Sequence, residues 1–347
     1  MIQFYNLSMI NCAIHCVGNK NKEDEIIISK KLLSLNNESN LNLKNYFLKP
    51  FVQKEEYYRL FHEKDKNLNE VYNYVSGIFD NPNSLYDESV FLAKHLYENS
   101  VHPKIKGGEF YVVYFKDCII NEETVDAVGL FKSENKDTFL KVYHSGDGFE
   151  IESQEGININ KLDKGCLIFN TEREDGYVVA VVDNTNKGAE AKYWTDDFLG
   201  VRPRQDEFYN TRNLLTLCKD FVTKEMPNEF DMSKADQAEL LNNSVKFFKE
   251  NDSFDMEEFT NEVMAQPEII ESFNRYKDDY QQDRDIDIAD NFTISNSALK
   301  KQASAFKRVI NLDQNIQIVI KGNRSQIEQG EDENGRKFYK IFYSEES

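Results

Sequence analysis

The stretch that decides the fold begins Gly107-Gly108-Glu109-Phe110-Tyr111-Val112-Val113-Tyr114-Phe115 and runs on to Gly200. It holds short runs rich in Val, Ile, Phe and Tyr at 110–115, 125–131, 139–143, 166–169 and 177–182. Each run is bounded by Gly, Asn, Asp or Ser, the pattern of strands and their turns. Ser145-Gly146-Asp147-Gly148 supplies turn residues that tolerate positive φ, and residues 183–188 supply another such turn. Most connections are too short to hold a helical crossover, so the runs predict an antiparallel sheet and not a parallel Rossmann-type one.

Working outward, residues 1–35 alternate well enough for two strands, 11–17 and 25–29, which extend a sheet. From 41 to about 79 the apolar positions Tyr57, Leu60, Phe61, Leu68, Val71, Tyr72 and Val75 recur at helical spacing, and 83–98 repeats the pattern. Beyond Gly200, residues 206–225 predict a helix stopped by Pro227, and 233–250 a second with Ser233 as N-cap and Asp236 three positions on. Asp255 and Glu258 start a third, and Pro267 suits the first turn of a fourth reaching about Tyr280. The polar stretch 278–290 is the expected hinge. A strand at 292–294, a helix over 296–310, and strands at 316–320 and 338–342 complete the chain. The expected architecture is α+β, with a central antiparallel sheet, a helical domain and a small C-terminal α/β unit. Its expected boundaries are 1–104 for an N-terminal α/β region, 105–200 for the sheet core, 201–283 for the helical domain and 284–347 for the C-terminal unit with its basic helix.

The chain has 347 residues, 40% of them hydrophobic, and a formal net charge of -19. That charge argues against a general affinity of the average surface for nucleic acid. The distribution is uneven: residues 284–347 carry 10 acidic and 10 basic side chains and escape the acidity of the middle of the chain. No run approaches the roughly 18 apolar residues of a membrane span, and residues 1–17 lack the basic start of a secretory signal. A cytoplasmic protein with no membrane partner is expected. Five cysteines, an odd number, form no disulfide framework in a chain this long and are expected to be reduced.

Four constellations hold residue types that can carry chemistry. Cys12, His15 and Cys16 suggest a metal site, but strand alternation sets His15 on the face opposite the two thiols, and no second ligand pair follows. Asp283, Asp285 and Asp287 alternate, yet lack the spacing of a calcium loop. His144, Ser145 and Asp147 are better explained as hairpin-turn residues than as a triad. Trp194 with Tyr193 and Phe198 offers either a platform for bases or, by preference, an apolar anchor. No phosphate loop, dinucleotide fingerprint or nucleophile elbow is present, so no enzyme, cofactor or metal is expected. The sharpest local signal is the helix over 296–310. Leu299, Ala303, Phe306 and Ile310 fall on one stripe, while Lys300 with Lys307, and Lys301 with Arg308, form two rows away from it. With Lys321 and Arg324 these cations make a phosphate-contacting surface or an ordinary solvated helix face.

Three segments resemble the bacterial nucleoid-associated proteins of the NdpA/YejK type. They are Gly107-Gly108 leading into residues 110–115, Asp197-Phe198-Leu199-Gly200 followed by Arg212 and Leu214-Leu215, and residues 292–312. The resemblance spans nearly the whole chain, and none of these segments is catalytic. It implies a protein of the cytoplasm and nucleoid that binds DNA, double-stranded and with little sequence preference. Expected phosphate contacts are Lys300, Lys301, Lys307, Arg308, Lys321, Arg324 and Arg212, and more weakly Arg202 and Arg204. The alternative is an acidic interaction protein that a DNA-processing partner recruits to the nucleoid without contacting DNA itself. A homodimer would double a weak basic surface and gain avidity.

Overall fold

A computed structural model describes residues 2–185, 192–303, 306, 309–312, 315–319, 327–343 and 345. The chain divides into two compact units, Met1–Arg204 and Gln205–Ser347.

In chain order the first unit holds β1 (Ile2–Gln3), β2 (Ser8–Val17), β3 (Ile26–Ile28), α1 (Asn37–Leu48), β4 (Tyr58–Leu60), α2 (Glu70–Asp80) and α3 (Leu85–Asn99). Then come β5 (Gly108–Ile120), β6 (Glu123–Ser133), β7 (Asp137–Ser145), β8 (Gly148–Gly156), β9 (Lys164–Phe169), β10 (Val178–Asp183), a π-helical turn at Tyr193–Leu199 and β11 (Val201–Pro203). Among the described residues nine strands form one antiparallel sheet in the order β11-β4-β10-β9-β6-β5-β2-β3, with β1 paired to β5. The antiparallel reading of residues 107–200 therefore holds, and the strands expected at 11–17 and 25–29 extend this same sheet.

Alternation along the strands feeds two cores. Phe110, Val112, Tyr114, Val128, Leu130, Cys166 and Ile168 pack on one face with Val75, Leu92 and Leu96 of α2 and α3. Tyr111, Val113, Phe115, Phe131, Leu167 and Phe169 pack on the other with Tyr46 and Phe47 of α1. Phe47 stacks on Phe131 at 4.2 Å. A strand covered on both faces is apolar at nearly every position, which is why these runs are continuous in the sequence. Each buried aromatic of this kind contributes roughly 1.5–3 kcal/mol. The double glycine opens β5 where backbones crowd: a Cβ on Gly108 would lie 1.8 Å from the Ser133 carbonyl oxygen.

Two expectations fail here. Tyr57, Leu60 and Phe61 match helical spacing, yet Tyr58–Leu60 is a strand set between β10 and β11 (Val179↔Tyr58, Val201↔Leu60). Its partners lie more than a hundred residues away, so no local pattern reveals it. The run 139–143 does form a strand, but among the described residues β7 pairs only with β8, in a separate two-stranded sheet.

The second unit holds α4 (Glu207–Asp220), α5 (Met226–Glu229), α6 (Lys234–Glu250), β12 (Ser253–Asp255), α7 (Met256–Phe259), α8 (Pro267–Arg284), β13 (Asn291–Thr293), α9 (Asn296–Ala303), β14 (Val309–Leu312), β15 (Ile316–Val319), β16 (Ile327–Glu331) and β17 (Lys337–Ile341). Its core gathers Leu214, Leu217, Phe221, Phe247, Phe254, Phe259 and Phe273. Ser233 caps α6 in a capping box with Asp236, as its spacing predicts. Pro227 lies in the first turn of α5, so it begins a helical turn where it was expected to stop one. The stretch 278–290 is no hinge: α8 runs through it to Arg284, Lys277 pairs with Asp290, and Ile288 is buried. Among the described residues no helix is long and apolar enough to cross a membrane.

Candidate nucleic-acid interface

Helix α9 is anchored at its start and apolar on one side. The Ser295 N–H donates to Thr211 Oγ1 on α4 at 2.9 Å, and the Ser295 hydroxyl accepts from the Ala298 N–H at 3.4 Å. Ala298 and Leu299 are buried, which leaves the next two residues, Lys300 and Lys301, exposed. The Lys301 Nζ lies 4.9 Å from the centre of the Phe208 ring on α4. A cation over an aromatic face at a surface is held by about 0.5–1 kcal/mol. Arg212 stands one turn on from Phe208 along α4 and is half-buried. Its charge is felt by Tyr209 and Tyr280, whose phenols burial pushes up and Arg212 draws partly back.

The expected helix over 296–310 is too long. It ends at Ala303, and Ile310, placed on its apolar stripe, belongs instead to β14, where it pairs with Ile318. Val309 and Ile310 are β-branched, which weakens a helix and favours a strand. Of the two expected rows, α9 therefore carries Lys300 and Lys301. Lys307, Arg308, Lys321 and Arg324 lie outside the described residues.

In the first unit Arg59, Arg173 and Arg204 are each engaged by a carboxylate. Arg202 of β11 is the cross-strand neighbour of Arg59 on β4, and its guanidinium stacks 4.1 Å from the centre of the Phe61 ring. Glu172 accepts from Arg204 at 2.6 Å and from Arg59 at 2.9 Å, and Asp175 lies 3.1 Å from Arg59. Lys66 pairs with Glu174 at 2.7 Å and Arg173 with Asp80 at 2.6 Å. These contacts draw the Glu174 and Asp80 carboxyls below their usual range. Arg204, one of the weaker expected phosphate contacts, is thus already engaged by a carboxylate.

The segment Asp197–Gly200 forms part of the wall of a cavity of about 630 Å³, lined also by His62, Glu70, His95, Asp196 and Arg202. Asn69 builds its floor. The Asn69 Oδ1 caps α2 by accepting from the Tyr72 N–H at 2.8 Å, while its amide nitrogen donates to the carbonyls of Phe61, Leu199 and Gly200. Gly200 sits there at φ +59°, in the left-handed region. His95 touches Glu70 through Nδ1 and the Phe198 carbonyl through Nε2. Trp194, Tyr193 and Phe198 are buried, so they serve as the anchor and not as a platform for bases.

A charged cluster that the sequence reading missed lies inside the first unit. Lys132 and Lys164 are fully buried. Lys132 Nζ donates to the Lys106 carbonyl at 2.8 Å and the Tyr193 hydroxyl at 3.3 Å, and lies 3.1 Å from Glu134. Lys164 Nζ reaches both Asp183 oxygens at 2.8–2.9 Å and Thr185 at 2.6 Å. Burial lowers the Lys132 ammonium pKa while Glu134 opposes that shift. The one signal was a lysine interrupting an apolar run, at Leu130-Phe131-Lys132 and at Lys164-Gly165-Cys166. The expected thiols are unpaired, and among the described residues no group of three His, Cys, Asp or Glu side chains is placed to hold a metal.

The family model described as nucleoid-associated protein YejK matches residues 13–334. The chain belongs to this family. No curated protein matches it. Within the nucleoid-associated YejK family fold, the segments that carried the likeness are mainly core formers. Phe198 and Leu199 are buried in the first unit, and Leu214 and Leu215 in the second. Of the third segment, β13 and the start of α9 line the second unit's core through Phe292, Ile294 and Leu299.

Proposed function

We propose that this member of the nucleoid-associated YejK family binds double-stranded DNA directly, electrostatically and with little sequence preference, through basic residues of its second unit. The reading rests on one observation: Lys300 and Lys301 stand exposed, side by side, at the surface of α9. Arg212, Lys307, Arg308, Lys321 and Arg324 complete the proposed contact set. The role is one of binding in the cytoplasm, at the nucleoid, and it calls for no cofactor and no catalysis. Phosphate contacts of this kind position a protein on a duplex and carry no sequence information. The variant carrying Lys300→Glu, Lys301→Glu, Lys307→Glu and Arg308→Glu should lose DNA binding in an anisotropy titration at low salt. Unchanged affinity in a folded variant would overturn this assignment.

A second reading is supported by the cavity beside Asp197. Glu63, Glu70, Asp196 and Asp197 line it in a chain of net charge -19, a surface suited to a basic segment of a DNA-processing partner. Purified protein without DNA affinity at low salt, yet recovered from cells with such a partner, would favour this reading over the first.

A further inference from the structure

Helix α1 is apolar on two opposite sides. At about 100° per residue, Leu43, Tyr46 and Phe47 share one side, where Phe47 stacks on Phe131 of the sheet, while Leu41, Asn45 and Leu48 fall within an arc of about 60° on the other. This second stripe runs on past the helix end to Val52 and, with Phe4 and Ile159, lines a groove of about 550 Å³ in the first unit. Leu41, Val52 and Ile159 are each about half exposed, at 51–52%. The groove lies within the roughly 300–1,000 Å³ of ligand-sized sites.

Its charge runs against that of the chain. Among the described residues the charged members of the lining are Lys44 and Lys49, and no carboxylate joins them, although the chain carries 61 acidic side chains against 42 basic ones. Glu38, one turn before Leu41 on α1, is outside the lining. The two ammonium groups meet neutral oxygens: Lys44 Nζ donates to the Leu7 carbonyl and Lys49 Nζ to Asn160 Oδ1, each at 3.4 Å. Both bonds are longer than the usual range of roughly 2.7–3.2 Å and leave the positive charges uncompensated.

We propose that this groove holds a short extended segment of a protein partner that combines large apolar side chains with carboxylates. The apolar walls take the first and the two lysines take the second. From Leu41 to Val52 the helical rise is about 16 Å, the span of about five extended residues. Charge decides against other occupants. A basic segment would meet two cations and no acid. A second copy presenting the same groove would set Lys44 and Lys49 against their own counterparts. A duplex would satisfy the lysines with phosphates but give the apolar walls nothing to bury. The site belongs to the first unit and is independent of the DNA surface proposed for the second.

A phage-displayed library of random nine-residue peptides, selected against the full chain, tests this. Recovered peptides should be enriched in Leu, Ile or Phe together with Asp or Glu. In anisotropy titrations the tightest of these, labelled with fluorescein, should bind Lys44→Glu/Lys49→Glu at least about tenfold more weakly than wild type. Val52→Asp should weaken it comparably, both variants keeping the wild-type circular dichroism spectrum, and excess random-sequence duplex should not displace it. Selection that yields no peptide, or none carrying carboxylates, would overturn the proposal. So would an acidic peptide that binds both folded variants as it binds wild type, or one that duplex displaces. Laurate binding in the groove where no peptide does would assign it to a fatty acid and overturn the proposal as well. Should Lys44→Glu/Lys49→Glu not fold, Lys44→Gln/Lys49→Gln replaces it: the peptide should bind it more weakly and with less dependence on salt, and an unchanged affinity would count against the proposal in the same way.

Discussion

His15 shows how a single side chain is committed by its neighbours. The Ser29 N–H donates to Nδ1 at 3.2 Å, and Nε2–H donates to the Ser89 hydroxyl at 2.9 Å, which in turn donates to the Tyr86 carbonyl. The ring is held neutral, and burial pushes its pKa down to about 4 from 6.5. Between those values the unfolded chain binds a proton that the folded one does not, so His15 costs stability progressively as pH falls from 6.5 towards 4. Replacing it with Asn should flatten that part of the urea-midpoint profile; parallel profiles for the two proteins would refute the neutral-ring account. Lys132 is the second case. Lys132→Met leaves Glu134, and the acceptors it served, buried without their cation, a loss of about 3–5 kcal/mol. The double variant Lys132→Met/Glu134→Leu should recover part of it in denaturant melts, and a silent single variant would show that the pair is not held as described. The strand alternation that placed His15 opposite Cys12 was legible in sequence. Neither buried lysine was, because a lysine ending an apolar run reads equally well as a strand end reaching solvent.

At the scale of elements, local chemistry was readable wherever the partner is near in sequence. Ser233 and Asp236 make the reciprocal cap that their spacing predicts, with the Ser233 N–H donating to Asp236 at 2.9 Å and the Asp236 N–H to Ser233 at 3.1 Å. Ser233→Ala should therefore cost about 1 kcal/mol, and a thermal melt that does not move would contradict the box. Strand β4 was unreadable for the opposite reason, since its three residues owe their conformation to strands far along the chain. Helix α9 was half-readable. Its buried Leu299 and exposed Lys300 and Lys301 follow the predicted stripe, while the switch to β14 after Ala303 depends on pairing with β15 that no helical wheel contains. The hairpin β7–β8 was correctly read as two strands and a turn, but nothing in its alternation says that it stands apart from the main sheet.

For the molecule as a whole, the family and the α+β architecture were both legible, the first from short segments and the second from alternation and turn residues. The proposed site is less so, because a phosphate surface depends on how cations and carboxylates are arranged in space, and carboxylates such as Glu172 and Glu174 are remote in sequence from the Arg59 and Lys66 they engage. A chain of net charge -19 that binds DNA must do so through a local surface against its own average field. Such binding weakens steeply with salt. The most direct test is therefore the affinity of the purified full chain for a random-sequence duplex, measured across a salt series. Direct phosphate binding predicts a linear log-log plot with a slope of about -0.9 per phosphate neutralised, shallower by roughly two such steps in Lys300→Glu/Lys301→Glu and insensitive to duplex sequence. No binding at the lowest salt, or a slope that those two substitutions leave unchanged, would contradict it.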